Sequence, residues 1–324
     1  MVALSVYPDQ LSFLGGAMNL PADFTSHRFA AGRERANTLK VVTLNLEAGG
    51  WDGHHGQHQR LDLLPELIGD ADLVLFVEGK EFSLHGQELR FHAERLLADL
   101  GLRSFMTRSV IGELHDLVFA RWPRLRLVRH YTPDLPGVFH DQIGWLSFEV
   151  TGLDRLLWVR SVQWASWNGD VRLDLAQKLT RYAAPDKAAI IGGDLNAIWP
   201  DCPGHDEFEP DWLAMPPHKR THKTLPPGLR PDKAQKVLVS DRRATQILHE
   251  VKFVNAGCLA GDMTPTLNHH IDNGQGARID HLVFSPWLAP AIIPESYRVR
   301  CDELSEQASN HRRVSVRLDL GRLG

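Results

Sequence analysis

The sequence predicts an α/β fold in which two β-sheets pack on each other and carry helices on their outer faces. Three observations lead there. Strand and helix segments alternate near both ends of the chain, a run of apolar segments without helical signals lies between them, and 43% of the 324 residues are apolar, enough for a large core. This order fits packed mixed sheets better than a doubly wound parallel sheet. At about 150 residues per domain the length would suggest two domains, yet the sequence of segments points to one.

Residues 1–37 contain Gly15, Gly16, Pro21 and Gly32 without sustained periodicity, and are expected to form an N-terminal arm before a domain over 38–324. "LKVVTLNL" (39–46) and "ADLVLFVEG" (71–79) are nearly continuous apolar runs, the signature of strands buried on both faces, and "QRLDLLPELIG" between them reads as helical despite Pro65. "GQELRFHAERLLADLG" (86–101) sets Leu89, Ala93, Leu96, Leu97 and Leu100 on one helical face, with Gly101 as its stop. "HDLVFARW", "RLRLVRHY", "IGWLSFEV" and "RLLWVRSVQW" then follow at the spacing of successive antiparallel strands. "RLDLAQKLTRYA" is a helix leading into "KAAIIGGDLNAIW", a buried strand that breaks at a Gly pair. Seven prolines between Cys202 and Lys236 mark residues 202–236 as an insertion without regular elements. A helix over "DRRATQILHEV", a strand over "ARIDHLVFS" and an alternating terminal strand, "RRVSVRLDL", complete the chain.

Lys and Arg total 36 against 40 Asp and Glu, so the formal charge of −4 offers no global attraction for a polyanion, and a phosphate site has to be local. Cys202, Cys258 and Cys301 are odd in number and lack CxxC spacing, which argues against a disulfide framework or a structural zinc and favours a cytoplasmic protein. No run reaches the roughly 20 apolar residues of a membrane span, and the first 20 residues lack the pattern of a secretory leader, so no membrane association is expected.

Chemistry is expected where polar residues end the apolar strands: Asn45 and Glu47, Glu78, Asp194 and Asn196, Asp280, and Asn310 with His311. Carboxylates at such positions are costly unless paired or bound to a cation. Strand alternation places Asn45 with Glu47, and Asp194 with Asn196, on common sides. Carboxylate and amide oxygens without cysteine form a hard donor set suited to Mg²⁺ or Mn²⁺. Phosphoryl transfer is the chemistry that most needs one, the ion polarising the phosphate while a carboxylate and an imidazole handle the proton of the attacking water.

The blocks "VVTLNLEAGG", "LVLFVEGKEF", "IIGGDLNA", "RIDHLVFS" and "SNHRRVSVRL", in this order from about Lys40 to the C-terminus, resemble the endonuclease/exonuclease/phosphatase superfamily. The resemblance implies a four-layer α/β/β/α sandwich of two packed mixed sheets with a cleft at one end. Under it Asn45 and Glu78 are the metal-site pair, with Glu47 a water-mediated ligand. Asp194 aligns or deprotonates the water or protonates the leaving group, Asn196 contacts phosphate, and Asp280 and His311 are the orienting carboxylate and the imidazole. The chain departs from the family's pattern twice: Asn310 stands where the family usually has Asp, and Gln163 where it has His or Tyr. An amide supplies neither negative charge nor a titrating proton.

Three functions are open to such a centre: a nuclease on DNA or RNA, a phosphatase or phosphodiesterase on a small or lipid phosphate, and a nucleic-acid-binding module with a degraded centre. The basic run "HKRTHK" with Arg230, Lys233 and Lys236, together with Trp158, Trp164, Trp167, Trp199 and Trp212 as candidate stacking surfaces, favours the nuclease. His54, His55 and His58 read as a polar loop, as do His269 and His270.

Overall fold

The computed structural model describes residues 37–53, 58–109, 113–132, 144–200, 202–205, 209–231, 237–272 and 276–323. The expected arm (1–36 of it), His54, His55, Lys233 and Lys236 lie outside the described residues. One sheet has the strand order β11-β12-β1-β2-β4-β3 and the other β5-β6-β7-β8-β10-β9. The first comprises β1 (Thr38–Asn45), β2 (Leu73–Lys80), β3 (Leu102–Thr107), β4 (Leu114–Arg121), β11 (Ile292–Val299) and β12 (Val314–Asp319). The second comprises β5 (Leu125–His130), β6 (Leu146–Val150), β7 (Leu157–Gln163), β8 (Ala188–Asp194), β9 (Val254–Asn255) and β10 (Asp280–Phe284). Each sheet is mixed, with one parallel pair, β1 with β2 and β7 with β8.

The layers follow from which face each apolar residue takes. Val41, Leu75 and Val118 of the first sheet meet Phe148, Val159, Ile190 and Leu282 of the second in a central core. Each such burial contributes about 1.5–3 kcal/mol. The opposite face of the first sheet, with Val42, Val74 and Phe119, is covered by α1 (Leu64–Ile68) and α2 (Glu88–Leu96). The outer face of the second, with Ala189, Ile191 and Val283, is covered by α3 (Gly169–Leu179) and α4 (Arg243–Glu250). The result is an α/β/β/α sandwich, as the sequence predicts. Among the described residues no helix is long and apolar enough to cross a membrane.

Local differences from expectation have physical causes. The four central segments do not form one antiparallel run, because β4 and β5 belong to different sheets. Pro65 splits the predicted helix after β1 into a 3₁₀ turn over Gln59–Leu63 and α1. Strand β11 has no counterpart in the sequence expectations, since Pro294 interrupts its pattern. It lies where the pairing with β12 shifts register between Ile293 and Arg298. The described part of the insertion holds single turns at Trp212–Ala214, Pro217–Arg220 and Pro227–Leu229 and isolated β-bridges from Cys202 to His205 and from Thr224 to Ser240.

The cysteine expectation is overturned. Cys202 and Cys258 form a disulfide with Cα atoms 5.2 Å apart although 56 residues separate them, and Cys301 is free and exposed. Spacing carries no signal for a pair that only the folding of the insertion against Ala256–Ala260 brings together.

Candidate active site

The parallel pairs decide where the site lies. Strands β1 and β2 in one sheet and β7 and β8 in the other carry Asn45, Glu78, Gln163 and Asp194 to one end of the sandwich. Asn45 Nδ2 donates to Glu78 Oε1 on the neighbouring strand at 3.0 Å and across the gap to Asp194 Oδ2 at 3.3 Å. Gln163 Nε2 donates to Glu78 Oε1 at 3.3 Å and Asp194 Oδ2 at 3.1 Å. Two amides thus link the carboxylates of opposite sheets. The antiparallel neighbours bring their starts to the same end: Asp280 pairs in register with Asp194, and His311 stands just before β12.

Tight backbone geometry aims these groups. Glu78 has φ 58°, in the left-handed region, where the β2–β4 register shifts between Phe76 and Gly79, and its Oε2 accepts from the amide of Ala48 at 3.2 Å. Gly193, the second glycine of "IIGGD", has φ +140°, and a Cβ there would lie 2.1 Å from the Val162 carbonyl oxygen. Only glycine lets β8 approach β7 closely enough to carry Asp194 into the site.

The alternation expected beyond the strands does not hold, because both strands end before it applies. Asn45 Oδ1 accepts from the Glu47 amide at 2.8 Å, and Asp194 Oδ1 from the Asn196 amide at 2.8 Å, so each is the first residue of a side-chain-closed turn. Glu47 and Asn196 both have left-handed φ. The Glu47 carboxylate pairs with Arg60 at 2.5 Å and accepts from the Asn310 amide at 2.9 Å. Asn196 Nδ2 donates to the Trp164 carbonyl at 3.0 Å. Asn45, Glu78, Asp194, Asp280 and His311 come together, while Glu47 and Asn196 turn their side chains to the surrounding loops.

His311 Nδ1 lies 2.8 Å from Asp280 Oδ2 and both side chains are buried. Burial disfavours the imidazolium, but the charge and hydrogen bond of Asp280 outweigh it and raise the His311 pKa to about 9. Burial and the neighbouring Asp280 push the Asp194 carboxyl up to about 7, against the pull of His311. One oxygen of each of Asp194 and Asp280 and one nitrogen of His311 lie within 4.8 Å of one another.

These residues fit a hard divalent cation. Asp280 Oδ1 is buried without a hydrogen-bond partner, and three carboxylates, those of Glu78, Asp194 and Asp280, crowd one space in which His311 supplies the balancing positive charge. A bound dication would relieve their repulsion.

Several supporting residues gave no signal in the sequence. Ser309 Oγ donates to the Asn45 carbonyl at 2.7 Å and accepts from the His311 amide at 3.0 Å, tying the histidine to β1. Thr266 Oγ1 accepts from the amides of Ile279 and Asp280. Buried His281, held neutral with a pKa near 3 by burial and by Arg278, contacts the Ala197 carbonyl at 3.0 Å and so supports the loop after Asp194. His58 lies against the Gly49 carbonyl at 2.9 Å, part of the first turn. Of the expected basic run, Lys223 is paired with Asp272 and Arg220 donates to the Trp212, Leu213 and Met215 carbonyls. Trp164, Trp199 and Trp212 belong to the core, and Trp167 is exposed.

No protein-family model matches the chain, and no curated protein does. The fold does have solved counterparts. An AP endonuclease from Archaeoglobus fulgidus superposes with a TM-score of 0.55 at 16% identity, over 87% of this chain and 99% of that one. The AP endonuclease LMAP from Leishmania major gives 0.57 at 15% identity, over 90% of each chain. The 3′ phosphatase NExo from Neisseria, bound to a product DNA hairpin, gives 0.53 at 16% identity, over 87% and 99%. This chain shares their fold.

Proposed function

We propose that this chain is a member of the endonuclease/exonuclease/phosphatase superfamily and a divalent-metal-dependent phosphodiesterase that hydrolyses nucleic acid. One observation carries the proposal: Asn45, Glu78, Asp194, Asp280 and His311, from strands far apart in sequence, converge at one end of the sandwich in a cluster rich in negative charge. The fold likeness to two AP endonucleases and a DNA-bound 3′ phosphatase supports the same reading.

In this proposal Glu78, with Asn45, holds Mg²⁺ or Mn²⁺, which when bound supplies charge neutralisation at a phosphate oxygen. Asp194 aligns the attacking water through a carboxylate that Asn45, Gln163 and the Asn196 amide fix in place. Its raised pKa keeps proton uptake within reach of neutral pH. His311, charged and oriented by Asp280, donates from Nε2 to a non-bridging phosphate oxygen and so stabilises charge that grows in the transition state. Gln163 adds an uncharged donor.

A substrate panel tests the assignment. Purified protein with Mg²⁺ is expected to shorten labelled DNA or RNA and to leave inositol phosphates and sphingomyelin intact. Release of phosphate or phosphocholine from those substrates, with polynucleotides untouched, would replace nucleic acid by a small or lipid phosphate.

A further inference from the structure

A pocket of about 430 Å³ lies beside the candidate active site, between the loop that follows β7 and the insertion. Arg172, 1% exposed, joins its two walls: Nη1 donates to the Ala165 carbonyl and Nη2 to the His222 carbonyl, each at 2.9 Å. The first wall is continuous with the site, because Trp164, next to Gln163, accepts from Asn196 and donates its amide to the Asp194 carbonyl at 2.9 Å. Trp167 lies four residues beyond Gln163, a span of at most ~14 Å of chain.

The lining selects a flat, uncharged, partly polar guest. Trp167 is 57% exposed at the pocket edge, and Pro226 and Pro227 add apolar surface. Thr224 is 2% exposed and its Oγ1 has no hydrogen-bond partner, an omission costly to the fold unless a ligand completes it. Arg243 is paired with Asp241 and Asp170, so the lining carries two guanidinium groups against two carboxylates. Burial, Lys223 and Arg172 lower the His222 pKa and keep it neutral. A phosphate would meet Asp170 and Asp241 with no surplus positive charge to hold it.

We propose that this pocket receives a nucleobase of the substrate strand close to the scissile phosphate, with the Trp167 indole as stacking surface and the Thr224 hydroxyl as hydrogen-bond partner to the base edge. The assignment rests on nucleic acid being the substrate. It adds a strand-positioning element formed jointly by the loop after β7 and the insertion, and stacking of this kind is sequence-tolerant.

A binding cycle tests it. Single-stranded oligonucleotides carrying one base-free residue at successive positions are titrated by fluorescence anisotropy, with EDTA present, against the wild type, Trp167→Ala, Trp167→Phe and Thr224→Val. At one position near the cleavage point, loss of the base is expected to weaken wild-type binding about 10-fold or more and to cost Trp167→Ala only the smaller share that the Thr224 contact contributes. Trp167→Phe restores most of that loss, and Thr224→Val weakens binding several-fold through the same position. The proposal is overturned if the cost of base removal is the same in Trp167→Ala and wild type at every position. Cleavage of intact DNA or RNA by the wild type with Mg²⁺, measured in parallel, separates the two claims: cleavage without coupling removes the base pocket alone, and coupling without cleavage removes the hydrolase reading alone.

Discussion

His311 Nδ1 and Asp280 Oδ2 lie 2.8 Å apart, one ahead of the last strand of the first sheet and the other at the start of β10 in the second. The pair is an ion pair buried between the sheets, and its protonation links stability to pH. The His311 pKa is raised from 6.5 to about 9, so its contribution is present below pH 6.5 and lost as pH rises through 9. Asp194, raised from 3.8 to about 7, acts in the same sense, with its contribution lost as pH rises through 7. The Tm of the metal-free protein is therefore expected to fall as pH rises from about 6.5 to 9, and Mg²⁺ to raise Tm most at the alkaline end. In His311→Gln the fall between about pH 7 and 9 should shrink. A wild-type slope retained in His311→Gln would show that other groups set it.

Glu78→Gln keeps the size of the side chain and the acceptor facing Asn45 but removes its charge. Metal binding measured by calorimetry is expected to weaken about 10-fold or more. Wild-type affinity would remove Glu78 from the metal site.

Asp194→Asn and His311→Ala are each expected to lower kcat by about 10²-fold or more. They serve one phosphate and one water, so the double variant should fall well short of the product of the single losses. Fully multiplicative losses would mean that the two groups act independently.

Gly193→Ala forces a Cβ against the Val162 carbonyl oxygen. It is expected to destabilise the fold by about 1–3 kcal/mol or more and to lower activity by moving Asp194. Urea unfolding beside the cleavage rate checks both, and wild-type values for both would show that β7 and β8 have room to separate.

Much of this fold is legible in the sequence because its central strands are buried on both faces: β1, β2 and β8 read as nearly continuous apolar runs, and a polar residue at one end of each of these strands and of β10 lies in the candidate site. Alternation fails at Glu47 and Asn196, since it describes strands and both residues lie in turns closed by the side chains of Asn45 and Asp194. Ser309 and Thr266 are silent in the sequence because their roles consist of contacts with distant backbone atoms. Trp167 stands apart from the buried candidate stacking residues Trp164, Trp199 and Trp212 only once burial is known.

The activity proposed for the Glu78, Asp194 and His311 centre is metal-dependent hydrolysis of nucleic acid. End-labelled DNA and RNA incubated with the wild type and with Asp194→Asn, in Mg²⁺, Mn²⁺ or EDTA, test it most directly. Cleavage of at least one polymer by the wild type with metal is expected, abolished by EDTA and reduced about 10²-fold or more by the substitution. Intact polymers under every metal condition, or cleavage that persists undiminished in EDTA or in Asp194→Asn, would contradict it.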